Sequence, residues 1–279
     1  MLILHFEKIN VIPFYAGMMV KRMKSIISFL IRYIPRKYLQ LFSHWGLKIV
    51  ALFYRGNRVT CPVCEHNFSS FLPYGRQARS NALCPNCLSL ERHRMMWLFL
   101  KNETPFFQKE LDVLHIAPEI CFIDRFEQLH KEKYITADIE SPLAKVKLDV
   151  HDIPFEEGSY DVVFCNHVME HVEDDFKAMS EIHRVLKPGG FAILQVPLFY
   201  PLLDVTYEDK NITSPKEREK AFGQTDHVRM YGKDYADRLR SVGFTVDENR
   251  YFEKLPIEDV KRYALPMDEP VFYCSRPFT

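Results

Sequence analysis

From Leu111 to the C-terminus, short apolar runs alternate with stretches whose apolar residues recur every three or four positions. The runs predict strands over 111–116, 134–138, 146–149, 161–165, 190–196, 244–249 and 270–275, and the spaced stretches predict helices near 119–131, 174–186 and 233–242. This rhythm predicts an α/β fold with a mostly parallel sheet and helices on both faces. Only Ile139–Lys145 separates the second strand from the third, too short for an ordinary crossover, so the helix expected there must shrink to a turn. Upstream, a helix is predicted over 88–101. Residues 18–54 read as two amphipathic helices split at Pro35. Their apolar positions include Ile27, Leu30, Ile34, Phe42, Trp45 and Ile49, with Lys and Arg opposite.

Charge is distributed unevenly. The chain has 279 residues and no formal net charge, yet residues 1–60 carry ten Lys/Arg against Glu7 alone. The remainder holds 27 bases and 36 acids, so a basic arm of +9 precedes an acidic body of −9. A hydrophobic content of 47% is ample for a packed core and excludes wholesale disorder. The longest uncharged N-terminal run, 9–20, falls short of the roughly twenty residues a spanning helix needs. No signal peptide is evident. A cytoplasmic location is expected, with residues 18–58 suited to an anionic surface at the inner membrane face or to a protein partner.

Four of the seven cysteines form two Cys-Pro-x-Cys pairs, Cys61/Cys64 and Cys84/Cys87, nineteen residues apart. Each tight turn can present two thiolates to one tetrahedral ion, which predicts a zinc ribbon with a closed, structural Zn2+ site. His66 and His93 stand nearby as spare ligands. Cys121, Cys165 and Cys274 lie singly in apolar contexts, as expected of buried thiols in a reducing compartment.

The stretches "VLHIAPE", "YDVVFCNHVMEHV" and "RVLKPGGFAIL", together with Asp138 and Asp149, resemble the class I S-adenosylmethionine-dependent methyltransferases, especially the type 11 group. The likeness covers residues 111–250 and implies a Rossmann-like domain binding S-adenosylmethionine across the carboxyl ends of its strands. It places Asp138 at the ribose hydroxyls, Asp149 and the Val150 N–H at the adenine, and Asn166 and His167 beside the methionine moiety. Lys187–Gly190 is expected to form a tight turn into the fifth strand.

One departure stands out. Where the family carries Asp-x-Gly-x-Gly-x-Gly, this chain has His115, Ala117, Glu119 and Cys121. Glycine there permits close approach and positive φ. Alanine is small, Pro118 suits the first turn of a helix, and Glu119 is placed to accept hydrogen bonds from the methionine ammonium.

Three segments follow from these signals: a basic helical arm over 1–58, a zinc ribbon with its linker helix over 59–101, and a Rossmann-like domain over 102–279 with an acceptor-side insertion at 198–232. Within the insertion, "TSPKERE" starts a helix. Asp226 and His227 are candidates for deprotonating the acceptor, and Asp204, Tyr207 and Glu208 are further pocket candidates. The expected function is methyl transfer to a small molecule, glycan or lipid intermediate. An rRNA or tRNA methyltransferase docking RNA through Arg76, Arg79, Arg92 and Arg94 is the rival enzyme. A catalytically silent adaptor is the third reading.

Overall fold

The computed structural model describes residues 49–75 and 78–278. The predicted arm therefore lies outside the described residues up to position 48, as does Arg76. From Val50 onward the chain is one compact unit. Two small antiparallel hairpins open it: β1 (Arg55–Thr60) with β2 (Asn67–Phe68), and β3 (Leu72–Tyr74) with β4 (Arg79–Leu83). α1 (Glu91–Glu103) follows. Its N-cap, Leu90, has no side-chain oxygen, and His93 Nδ1 accepts the Leu90 N–H instead.

Next come β5 (Val113–Ile116), α2 (Ile120–His130), β6 (Tyr134–Asp138), β7 (Val146–Lys147), β8 (Tyr160–Cys165), α3 (Asp175–Val185) and β9 (Leu186–Ile193). A two-stranded lid of β10 (Tyr207–Glu208) and β11 (Arg229–Met230) encloses α4 (Pro215–Phe222). The chain ends through α5 (Tyr235–Ser241), β12 (Thr245–Asn249), α6 (Ile257–Tyr263) and β13 (Val271–Ser275). Seven strands form the main sheet in the order β12-β13-β9-β8-β5-β6-β7. Strands β5 to β9 run parallel, and β13 lies antiparallel to both its neighbours. The strand order reverses between β5 and β8, which opens a crevice at their carboxyl ends.

Both faces of this sheet are covered, which is why its central strands read as continuous apolar runs. Alternate residues serve opposite cores. Val113, Val162 and Phe164 join α1, α2 and the hairpins, whereas Leu114, Val163 and Cys165 join α3 and α5. Arg94 of α1 ties the hairpins to α6. It is fully buried, and its guanidinium donates to the carbonyls of Ala82, Ser89, Tyr263 and Ala264 while lying 4.2 Å from the Phe71 ring.

Two local expectations change. Lys187–Gly190 is not a turn: it lies inside β9, which begins directly after α3 and shifts register against β8. Gly189 has φ +77° there, and Phe278 occupies the space a Cβ would need. The Lys187 ammonium is held by Asp112 and Asp161 at 2.6 and 3.0 Å. The third strand ends at Lys147 rather than 149, and the link before it is a turn, as its length requires. In the insertion, Ser214 caps α4 by accepting the Glu217 N–H, with Pro215 at the first helical position. Among the described residues no helix is long and apolar enough to cross a membrane.

Candidate cofactor and metal sites

The turn between β5 and α2 lies at the reversal in strand order. Ala117 adopts φ +51°, the left-handed backbone that glycine usually supplies, and its N–H donates to the Ala137 carbonyl of β6 at 2.8 Å. The chain thus keeps the bend without the glycine. Glu119 is the N-cap residue of α2 in extended geometry, and its side chain does not cap the helix. It turns instead to the strand ends. Oε2 lies 2.5 Å from His115 Nε2, and Oε1 accepts the Asn166 Nδ2–H at 3.0 Å.

His115 is fully buried, with Tyr134 Oη 2.7 Å from its Nδ1. A Tyr134 O–H donated to Nδ1 leaves the Nε2–H for the carboxylate, so one chain of hydrogen bonds runs from β6 through β5 to the start of α2. Burial pushes the Glu119 carboxyl up, but the hydrogen bond from His115, with the help of Asn166, outweighs it and holds the group at about 2. A negative charge, 14% exposed, is fixed at the mouth of the crevice.

Asn166 directly follows β8 and is buried. Its Oδ1 accepts the Gln195 N–H, and its Nδ2 also faces Met96 Sδ of α1 at 3.5 Å. His167 follows with φ +55°. Asp138, at the end of β6, accepts the Glu140 and Ser141 N–H groups through Oδ1 at 2.8 and 2.7 Å, which leaves Oδ2 for a ligand hydroxyl. Asp149 lies beyond β7 on a turn closed by Asp152 N–H to its own carbonyl. Its side chain is 56% exposed and engaged with His151 at 2.7 Å. The His151 N–H and ring hold this carboxyl below its ordinary range. The Val150 side chain is buried in the same turn. Cys121 packs in the core 3.4 Å from His93 Nδ1. His115, Ala117, Glu119 and Asn166 therefore converge, with Asp138 on the neighbouring strand end, while Asp149 is occupied locally.

The four ribbon cysteines also converge. All are buried, with Cys61 and Cys87 sulfurs 3.6 Å apart and Cys64 and Cys84 sulfurs 3.7 Å apart. The two knuckles repeat one backbone form: the residue after the second cysteine, Glu65 or Leu88, has positive φ and donates its N–H to the first cysteine's carbonyl. Tetrahedral thiolates at about 2.3 Å from an ion stand roughly 3.8 Å apart, so the cluster is a candidate metal site of fitting size. His66 and His93 are used elsewhere, on the Cys64 carbonyl and at the cap of α1.

On the acceptor side, Asp226 and His227 do not pair with each other. His227 is fully buried with Nδ1 on the Phe222 carbonyl at 3.2 Å, and burial lowers its basicity. Asp226 is exposed and lies 3.5 Å from His171. Asp204 pairs with Lys233 in solvent, and Glu208 joins Arg229, Arg238 and the buried Asp175. Arg229 donates to the carbonyls of Met169, Val172 and Glu173, clamping the loop after β8 to the lid. Tyr134 and Glu170 were not anticipated from the sequence. Tyr134 opens an apolar strand and reads as core, while Glu170 is hidden in a loop whose histidines draw the eye. A hollow of about 620 Å3 lies elsewhere, lined by residues including Arg58, Lys261 and Arg262. It touches no strand of the main sheet and no buried titratable group.

Residues 107–194 match the model of a family described as a methyltransferase domain. An uncharacterized 37.1 kDa protein in transposon TN4556 of Streptomyces fradiae is 30% identical over 132 residues, covering 46% of this chain and 35% of that protein. The ubiquinone/menaquinone biosynthesis C-methyltransferase UbiE of Brucella anthropi is 29% identical over 126 residues, covering 41% of this chain and 48% of its own length. The chain thus spans less than half the length of these curated relatives. Among solved structures, an S-adenosylmethionine-dependent methyltransferase from Mesorhizobium loti aligns at 16% identity and a TM-score of 0.43, covering 64% of this chain and 94% of that one.

Proposed function

We propose that this chain, whose residues 107–194 match a methyltransferase domain, is a class I S-adenosylmethionine-dependent enzyme that transfers a methyl group to a small molecule, glycan or lipid intermediate. The observation that carries this reading is the β5–α2 turn, where Ala117 holds φ +51° beside the fixed charge of Glu119. S-adenosylmethionine supplies a methyl group already activated on a sulfonium. The chain then needs mainly to position the donor and exclude water. Glu119 accepts from the donor's ammonium in place of the backbone contacts of a glycine turn, a charge-assisted bond. His115 and Tyr134 hold that carboxylate in place from behind, and Asp138 Oδ2 accepts ribose hydroxyls. Asn166 and His167 flank the methionine end. Asp149 and Val150 serve the adenine side once the Asp149–His151 contact opens.

The four cysteines hold a structural Zn2+, with all four positions taken by thiolate and none left for chemistry. Docking of RNA through the ribbon arginines is disfavoured, because Arg94 is consumed by four carbonyls and Arg79 is paired with Glu91. The N-terminal residues 18–58 are assigned to an anionic membrane surface or a protein partner on their charge pattern, and the protein to the cytoplasm on cysteine usage suited to a reducing compartment. Incubation with methyl-labelled donor and separate metabolite, lipid and RNA extracts tests the reading. Label is expected in the metabolite or lipid fraction. Label confined to RNA would overturn the acceptor class, and none in any fraction would support a silent adaptor.

A further inference from the structure

Behind the proposed donor seat, the loop after β8 and the lid bring three groups together that the cofactor reading leaves unused. Glu170 is 2% exposed, yet its Oε2 has no hydrogen-bond partner. His227 is fully buried, and its Nε2 is likewise unpartnered, because only Nδ1 is engaged. His171 completes the set, its Nε2 3.9 Å from Glu170 Oε1 and its ring 4.8 Å from that of His227. One ligating atom from each of the three lies within 4.8 Å of the others. A buried carboxylate oxygen and a buried imidazole nitrogen without partners are each costly, and the fold places them side by side.

We propose that Glu170, His171 and His227 form a second metal site, taking a divalent first-row transition ion. Two imidazoles and one carboxylate are the donor set such ions favour over Mg2+ or Ca2+. With ligand bonds of about 2.0–2.2 Å, tetrahedral donors stand roughly 3.3–3.6 Å apart, so donor atoms now within 4.8 Å of one another need rotamer adjustments of up to about 1.3 Å to chelate. The frame is held for this. The Val228 N–H donates to the Glu170 carbonyl, fixing the lid histidine against the loop carboxylate, and Arg229 clamps the carbonyls on either side. The Phe222 carbonyl takes the Nδ1–H of His227, so Nε2 carries the lone pair toward the cluster. His167 Nδ1 lies 3.5 Å from Glu170 Oε1 and closes the inner side. The outer side is open, since the His171 side chain is 35% exposed. A partly open site of this kind leaves a coordination position for an oxygen of the acceptor. That consequence rests on the methyltransferase reading, whereas binding of the ion does not.

The test adds Co2+ to the full chain purified with zinc in its ribbon. One equivalent is expected to bind with the visible spectrum of nitrogen and oxygen ligands and without thiolate charge-transfer bands. His171→Ala, at an exposed position, is expected to weaken Co2+ binding at least about tenfold. Glu170→Gln keeps the volume, and His227→Asn keeps the donor to Phe222; both are expected to do the same. S-adenosylhomocysteine titrations in the same variants report the donor seat separately, so a failure of one site is not mistaken for a failure of the other. Absence of the nitrogen/oxygen spectrum, a thiolate spectrum alone, or an affinity unchanged by His171→Ala would each overturn the proposal and leave a hydrogen-bonded lid contact.

Discussion

At the scale of single residues, the turn after β5 shows what a protein needs when glycine is missing. Left-handed backbone costs an L-residue about 1–2 kcal/mol, and Ala117 bears that cost at φ +51°. Ala117→Gly is therefore expected to keep donor binding and to hold or raise the melting temperature. The β-branched Ala117→Val should lower stability by roughly 2 kcal/mol in urea unfolding. Glu119 has a distinct signature in pH. Its folded-state value of about 2 lies below that of an unfolded glutamate, so the stabilisation is full above roughly pH 4.5 and is lost as pH falls toward 2. The stability gap between the native chain and Glu119→Gln is expected to be constant from pH 5 to 7 and to narrow through that acid window. A gap that instead closed near pH 6.5 would assign the effect to an imidazole.

At the scale of elements, α1 joins the ribbon to the rest of the chain. Arg94 makes four backbone hydrogen bonds from a fully buried position. Removing its charge and donors strands four carbonyls. Arg94→Met should therefore cost about 3 kcal/mol or more in urea unfolding, and a loss below 1 kcal/mol would mean that water or α6 replaces it. The rival RNA reading took Arg94 as a docking residue, because a basic helix face next to a ribbon has the same pattern whether solvent or α6 covers it. The strands and helices of the sheet were legible, since continuous apolar runs and three-to-four spacing report burial directly. Lys187–Gly190 was misread for a related reason: Pro-Gly-Gly marks a turn locally, and only the packing of Phe278 and the neighbouring strand shows it as an irregular strand start. Glu119 was legible as the acid at the start of α2, but its hydrogen-bond supports, His115 and Tyr134, come from different strands and meet only through the parallel register of β5 and β6.

At the scale of the whole molecule, the hairpins, α1 and one face of the sheet share a continuous core. An ion held at the four cysteines would thus stabilise more than the ribbon. Stripping zinc with a strong chelator is expected to lower the melting temperature by several degrees and broaden the transition, as read by circular dichroism. An unchanged melt would mean that the thiols pack adequately without metal.

The most direct measurement is a calorimetric titration of the purified full chain with S-adenosylhomocysteine, repeated with S-adenosylmethionine and with Glu119→Gln. One site per chain is expected in the native protein, weakened about 10- to 100-fold in Glu119→Gln, as the loss of a charge-assisted hydrogen bond requires. Heat from neither ligand, or equal affinity in the two proteins, would contradict the role assigned to the turn.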